Sequence, residues 1–66
     1  MIKITFNGNF LKIPNFTTID ELANIKGYKN PFMVKVNDKK LQLFQYKKYK
    51  INDGDNIVIK RILGGG

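Results

Sequence analysis

The chain has 66 residues, a net charge of +7, 42% apolar side chains and neither cysteine nor histidine. That length allows one domain with one core, and a domain so small buries only about 60% of the surface its unfolded chain exposes. Without cysteine there are no disulfides, thiolate metal sites or cysteine nucleophiles. Without histidine the usual proton carrier near neutral pH and the commonest metal ligand are also missing, so the composition argues against an enzyme acting alone.

The same inventory bounds the partners. Of the five carboxylates, Asp38, Asp53 and Asp55 sit in turn-like contexts, and no metal cage is apparent. No apolar run approaches the roughly 20 residues needed to span a bilayer, and the start of the chain lacks the features of a signal peptide, so the expectation is a soluble, cytoplasmic protein with no membrane role. Eleven of the twelve cations are lysine. Abundant Lys, Asn and Ile also arise from AT-rich coding, so charge alone does not point to nucleic acid.

In chain order, Ile2-Lys3-Ile4-Thr5-Phe6 alternates apolar and polar residues and predicts a half-buried strand with Ile2, Ile4 and Phe6 on one face. Asn7-Gly8-Asn9 tolerates positive φ, so a second strand from Phe10 to Ile13 folds back as a hairpin and ends at Pro14. Thr18-Ile19-Asp20-Glu21 matches a capping box and opens a short helix from about Ile19 to Lys26. Its inward stripe is Ile19, Leu22 and Ala23, with Ile25 at the margin, and Gly27 stops it. Met33-Val34-Lys35-Val36 is a third strand, followed by a polar turn at Asn37-Asp38-Lys39-Lys40 that leads into Leu41, Leu43 and Phe44. From Gln42 to Lys50 the pattern fits a short strand followed by irregular chain or one helical turn. Asn52-Asp53-Gly54-Asp55 is a turn, and Ile57-Val58-Ile59 has the β-branched density of a central strand.

One helix across a mixed sheet of four or five strands covers each apolar face, which predicts an α+β domain over residues 1–63 and a flexible glycine tail over residues 64–66. The order of elements, with Asn7-Gly8, Thr18-Ile19-Asp20-Glu21-Leu22, Val34-Lys35-Val36-Asn37, Asn52-Asp53-Gly54-Asp55 and the final Gly65-Gly66, resembles the ThiS family of sulfur carriers, within the ubiquitin-like β-grasp group. The resemblance spans the whole chain. Leu41-Gln42-Leu43-Phe44 departs from it, standing where family members commonly place Val-Pro and an aromatic. The related small subunit of molybdopterin synthase (MoaD) ends in the same way and tends to be longer.

A terminal glycine leaves its carboxylate unencumbered, Gly64 and Gly65 can take backbone conformations closed to other residues, and three extended residues reach about 10 Å. The resemblance implies that an E1-like adenylyltransferase (ThiF-like) uses ATP to adenylate the Gly66 carboxylate. It further implies that a persulfide donor converts it to a thiocarboxylate, which a thiazole synthase (ThiG-like) consumes in thiamine biosynthesis, with no cofactor held by this chain. Ubiquitin-like carriers and protein modifiers share the adenylation step, so a modifier is an alternative. Period-two counting turns Ile57 and Ile59 inward and would bury Arg61, so the regular strand is expected to end near Lys60. Ile62 and Leu63 would then be exposed as a docking anchor, joined by outward-facing Val58 and Lys60. The rival is Gln45-Tyr46-Lys47-Lys48-Tyr49-Lys50, where aromatics and cations interleave as in single-strand nucleic-acid binders; the plainer reading is a solvated loop with one aromatic in the core.

Overall fold

Alternation of apolar residues and two asparagine-led turns build most of the sheet. In the computed structural model, which describes residues 1–62, the strands are β1 (Ile2–Phe6), β2 (Asn9–Ile13), β3 (Phe32–Val36), β4 (Lys39–Lys40) and β5 (Asn56–Arg61), with helix α1 at Ile19–Ile25. They form one mixed sheet in the order β2-β1-β5-β3-β4, with β5 antiparallel to β3 and parallel to β1. Both hairpins close through two residues of positive φ, Asn7 (48°) with Gly8 (87°) and Asn37 (51°) with Asp38 (70°). Such mirror-image turns match the right-handed twist of the strands they join. The polar turn expected over residues 37–40 is therefore shorter, and Lys39 and Lys40 already pair with Val36 and Lys35.

The helix is specified at both ends. Thr18 accepts from the Glu21 amide at 3.2 Å, and the Glu21 carboxylate accepts from the Thr18 amide and hydroxyl at 3.0 Å each. Those bonds, the backbone one foremost, hold the Glu21 carboxyl below its ordinary range. At the other end Gly27 takes φ +79°, the Tyr28 amide reaches back to Ala23 O (2.8 Å) and the Gly27 amide to Asn24 O (3.1 Å), completing a Schellman cap. Ile19, Leu22 and Ala23 are buried as expected, whereas Ile25 is 67% exposed. At about 100° per residue, Ile25 falls roughly 110° from the centre of that stripe, too far round to reach the sheet.

The segment after β4 takes the helical-turn alternative, as a single 3₁₀ turn at Leu43–Gln45. Of its apolar residues Leu41, Tyr46 and Ile51 are buried, whereas Leu43 and Phe44 are each 69% exposed. Its main task is to cap the helix. The Tyr46 and Tyr49 carbonyls accept from the Asp20 and Ile19 amides at 2.9 and 3.2 Å, supplying partners that the first turn of a helix cannot find within itself. Tyr46 stacks on Phe32 with 5.3 Å between centroids, and the Tyr49 hydroxyl donates to Asp55 at 2.9 Å.

Ile4, Leu22, Val34, Ile57 and Ile59 form the centre of the core, each at most 2% exposed. Truncating Ile4, Leu22 or Ile59 to Ala is expected to cost about 2–4 kcal/mol, read by chemical denaturation. A second expectation concerns pH. Burial, then the bond to Asp55, pushes the Tyr49 hydroxyl above its ordinary value of 10.0. The neutral phenol is thus favoured by the fold. Its contribution is complete below that ordinary value and is lost as pH rises through the raised one. Tyr49→Phe should be less stable than the parent at pH 8, as measured by urea unfolding, and the gap should close above about pH 10.

Candidate docking surface at the end of the central strand

The last described strand of the chain, β5, is the middle strand of the sheet, flanked by β1 and β3. Arg61 stands opposite Phe32, and the Ile62 amide donates to Pro31 O at 3.2 Å. The sequence-predicted Leu63, Gly64, Gly65 and Gly66 lie outside the described residues.

Asn7 holds one flank of β5. The β1–β5 ladder contains only Thr5↔Asn56 and Phe6↔Ile57 before β1 turns away at Asn7. Beyond that point the Asn7 side chain replaces the missing backbone: its oxygen accepts from the Ile59 amide at 2.9 Å, and its nitrogen donates to Ile59 O at 3.3 Å and to the Tyr28 hydroxyl at 3.1 Å. Asn37 does similar work at the start of the strand, accepting from the Asn56 amide at 2.9 Å and donating to Asp55 at 3.0 Å. The sequence pattern alone marks both asparagines as turn residues. The available signal was their position, since an amide side chain one residue past a strand end can continue that strand's hydrogen bonding.

Ile57 and Ile59 point inward, and Val58 and Lys60 alternate to the opposite face, Val58 half-buried and Lys60 exposed. Ile62 is 52% exposed, as expected. The strand, however, runs through Arg61 rather than ending near Lys60. Arg61 has the inward parity yet stays exposed, because its guanidinium carbon lies 5.3 Å from the centroid of the Tyr28 ring instead of entering the core. Tyr28 in turn meets Phe6 and Phe32 edge-on at 6.1 and 6.2 Å, so a chain of aromatic contacts backs the end of β5.

The rival segment is organised differently. Tyr46 is buried with its hydroxyl donating to Phe32 O at 3.2 Å, and Tyr49 is half-buried on Asp55, so the rings that would stack bases are engaged internally. Lys47, Lys48 and Lys50 remain exposed. This is the solvated loop with one aromatic, Tyr46, in the core. Among the described residues no group of three or more Asp and Glu is placed to hold a metal ion, and no helix is long and apolar enough to cross a membrane.

A mixed five-stranded sheet in this order, with one helix across one face, defines a ubiquitin-like β-grasp domain. The fold matches the crystal structure of a thiamine biosynthesis protein (ThiS) from Geobacter metallireducens with a TM-score of 0.82, covering 98% of this chain and 100% of that one at 20% sequence identity. Residues 4–66 match the ThiS family, and the chain belongs to it. No curated protein matches the chain.

Asn7 offers a test of how the end of β5 is held. Asn7→Gly keeps the turn, since glycine accepts φ 48°, but removes the clamp. A loss of about 1–3 kcal/mol is expected, with faster hydrogen exchange at the Ile59 amide than at the neighbouring β5 amides.

Proposed function

We propose that this protein is a sulfur carrier whose working group is the C-terminal carboxylate of Gly66 and whose folded part positions that group for partner enzymes. The observation that carries this reading is the match to the ThiS family over residues 4–66, which includes all three terminal glycines. The support of β5 favours it: the strand pairs with β3 as far as Arg61 and is held on its β1 flank as far as Ile59.

A carboxylate is a poor electrophile, and this chain has no thiol or imidazole on which sulfur could be carried instead. Activation therefore comes from outside. An E1-like adenylyltransferase joins the Gly66 carboxylate to the AMP portion of ATP, releasing pyrophosphate. The outer sulfur of a persulfide donor then attacks the acyl carbon and displaces AMP, leaving an acyl disulfide. A thiol of the donor system attacks the donor-side sulfur and breaks the S–S bond, becoming oxidised to a disulfide with the donor. The thiocarboxylate so released serves a thiazole synthase in thiamine biosynthesis, in the cytoplasm. The fold match to a thiamine biosynthesis protein favours that pathway over the other uses of such carriers. Gly64 and Gly65 thread the partner's narrow site, and the chain itself supplies no catalytic side chain and binds no cofactor. Val58, Lys60, Ile62 and Leu63 are the contacts by which the partner grips the globule next to the tail.

With its cognate adenylyltransferase, ATP and a persulfide source, the intact protein should gain the mass of one sulfur replacing one oxygen, mapped to Gly66 by mass spectrometry. Deleting Gly66 should leave folding unchanged and abolish loading, because an exposed terminus adds little stability while the reactive carbon is displaced. Ile62→Asp combined with Leu63→Asp should weaken docking and leave the tail competent at high enzyme concentration. Normal loading of the Gly66-deleted protein would sink the assignment.

A further inference from the structure

The face of the sheet opposite the helix carries a charge pattern that folding does not call for. With Ile4, Val34, Ile57 and Ile59 turned to the core, pleating sends Lys3, Lys12, Lys35, Lys40 and Lys60 to the other side. All five are exposed. None of the five strands contains an aspartate or glutamate; the chain's carboxylates are confined to the helix and the turns. Two lysine pairs stand directly opposite each other across antiparallel strands, Lys3 with Lys12 and Lys35 with Lys40. Like charges in that position repel, so the isolated domain holds an unfavourable arrangement on one face.

At the centre of the lysines the surface is apolar: half-buried Val58 and Met33 lie on β5 and β3, and exposed Ile62 follows β5. Phe10, 82% exposed, stands at the far edge on β2. We propose that this face docks on an acidic protein surface with an apolar centre, and that the surface belongs to the enzyme that activates the tail. The inference rests on the sulfur-carrier reading and adds the chemistry of the partner. Carboxylates on the partner would neutralise the opposed lysines, and Val58, Met33 and Ile62 would supply the desolvated centre that charges alone do not. A second copy of this chain is a poor occupant, because it would bring the same five lysines. Single-stranded nucleic acid is disfavoured too, since the central residues are aliphatic and the one aromatic on the face lies at its edge.

The test reverses one charge in each opposed pair, Lys12→Glu with Lys35→Glu, which turns both repulsions into attractions. The double variant should therefore melt no lower than the parent, so weakened binding cannot be ascribed to unfolding. Affinity for the cognate E1-like adenylyltransferase is measured at about 50 and 500 mM salt. Parent binding should weaken about tenfold or more across that range. At low salt the double variant should bind about tenfold more weakly than the parent, and at high salt the two should converge. Lys29→Glu with Lys47→Glu makes the same change in net charge away from this face and should alter binding less than about threefold. Salt-independent binding by the parent, undiminished binding by the double variant, an equal effect of the control pair, or displacement of the enzyme by single-stranded RNA would each overturn the inference. Sulfur loading is followed on the same samples. A parent that loads normally while its affinity ignores these lysines leaves the carrier reading standing and removes the acidic docking surface; a parent that never loads removes the carrier reading and with it this choice of partner.

Discussion

Everything in this domain depends on β5 being held on both sides. It is last in the chain yet central in the sheet, antiparallel to β3 along five residue pairs and parallel to β1 along two. Its two inward residues, Ile57 and Ile59, are among the most deeply buried in the molecule, so the strand carries both the sheet and the middle of the core. That placement requires contacts between the two ends of the sequence, and the turn before β5 supplies more of them: the Gly54 amide reaches Lys3 O at 2.8 Å, and Asp53 accepts from the Lys3 amide at 2.8 Å. The chain end is thus continuous with the best-supported strand in the fold.

The weak flank of that arrangement is the parallel one, because β1 must turn back into its hairpin after Phe6. A turn at Asn7 alone would leave the Ile59 amide and carbonyl without partners on that side. The asparagine amide has the two functions of a peptide group in one side chain, and it meets both. Positive φ at Asn7 and its bonds to β5 are two uses of one residue. A glycine there would serve only the first, and an aspartate would offer no donor for the Ile59 carbonyl.

Much of the architecture was legible because local signals and global packing agree. The alternation in Ile2–Phe6, the box at Thr18 and Glu21, and the glycine at position 27 each specify an element that the sheet then uses unchanged. The segment from Gln42 to Lys50 was not legible, for a physical reason: it has little regular structure of its own, and its carbonyls serve the helix and its tyrosines serve Phe32 and Asp55. Nothing in its pattern announces a tertiary cap. Ile25 misled for the opposite reason, since an apolar residue near a stripe looks inward until two turns of helix are counted round. At the candidate site, the outward set Val58 and Lys60 and exposed Ile62 followed from period two, and the inference that Arg61 could not be buried was sound. What alternation could not show was that the strand would continue past it, with the guanidinium laid on Tyr28 at the margin of the core.

On the carrier reading proposed above, the two sheet faces divide the work between stability and docking. The inner face is spent on stability, with isoleucine, valine and leucine against one short helix. The outer face is free of that duty, and its opposed lysines are tolerable only because exposed charges in water interact weakly and are screened within about 8 Å at physiological salt. On the docking proposal, charge on that face would steer encounter with an acidic partner, and the apolar centre beside Ile62 would retain it. Holding a reactive group in place converts a bimolecular encounter into an effectively unimolecular step, a gain that is lost if the point of attachment shifts by about 1 Å. On the carrier reading, the support of β5 would be the domain's chemical contribution: the clamp at Asn7, the bond from Ile62 to Pro31 and the arginine on Tyr28 all act on the last described residues, from Ile59 to Ile62.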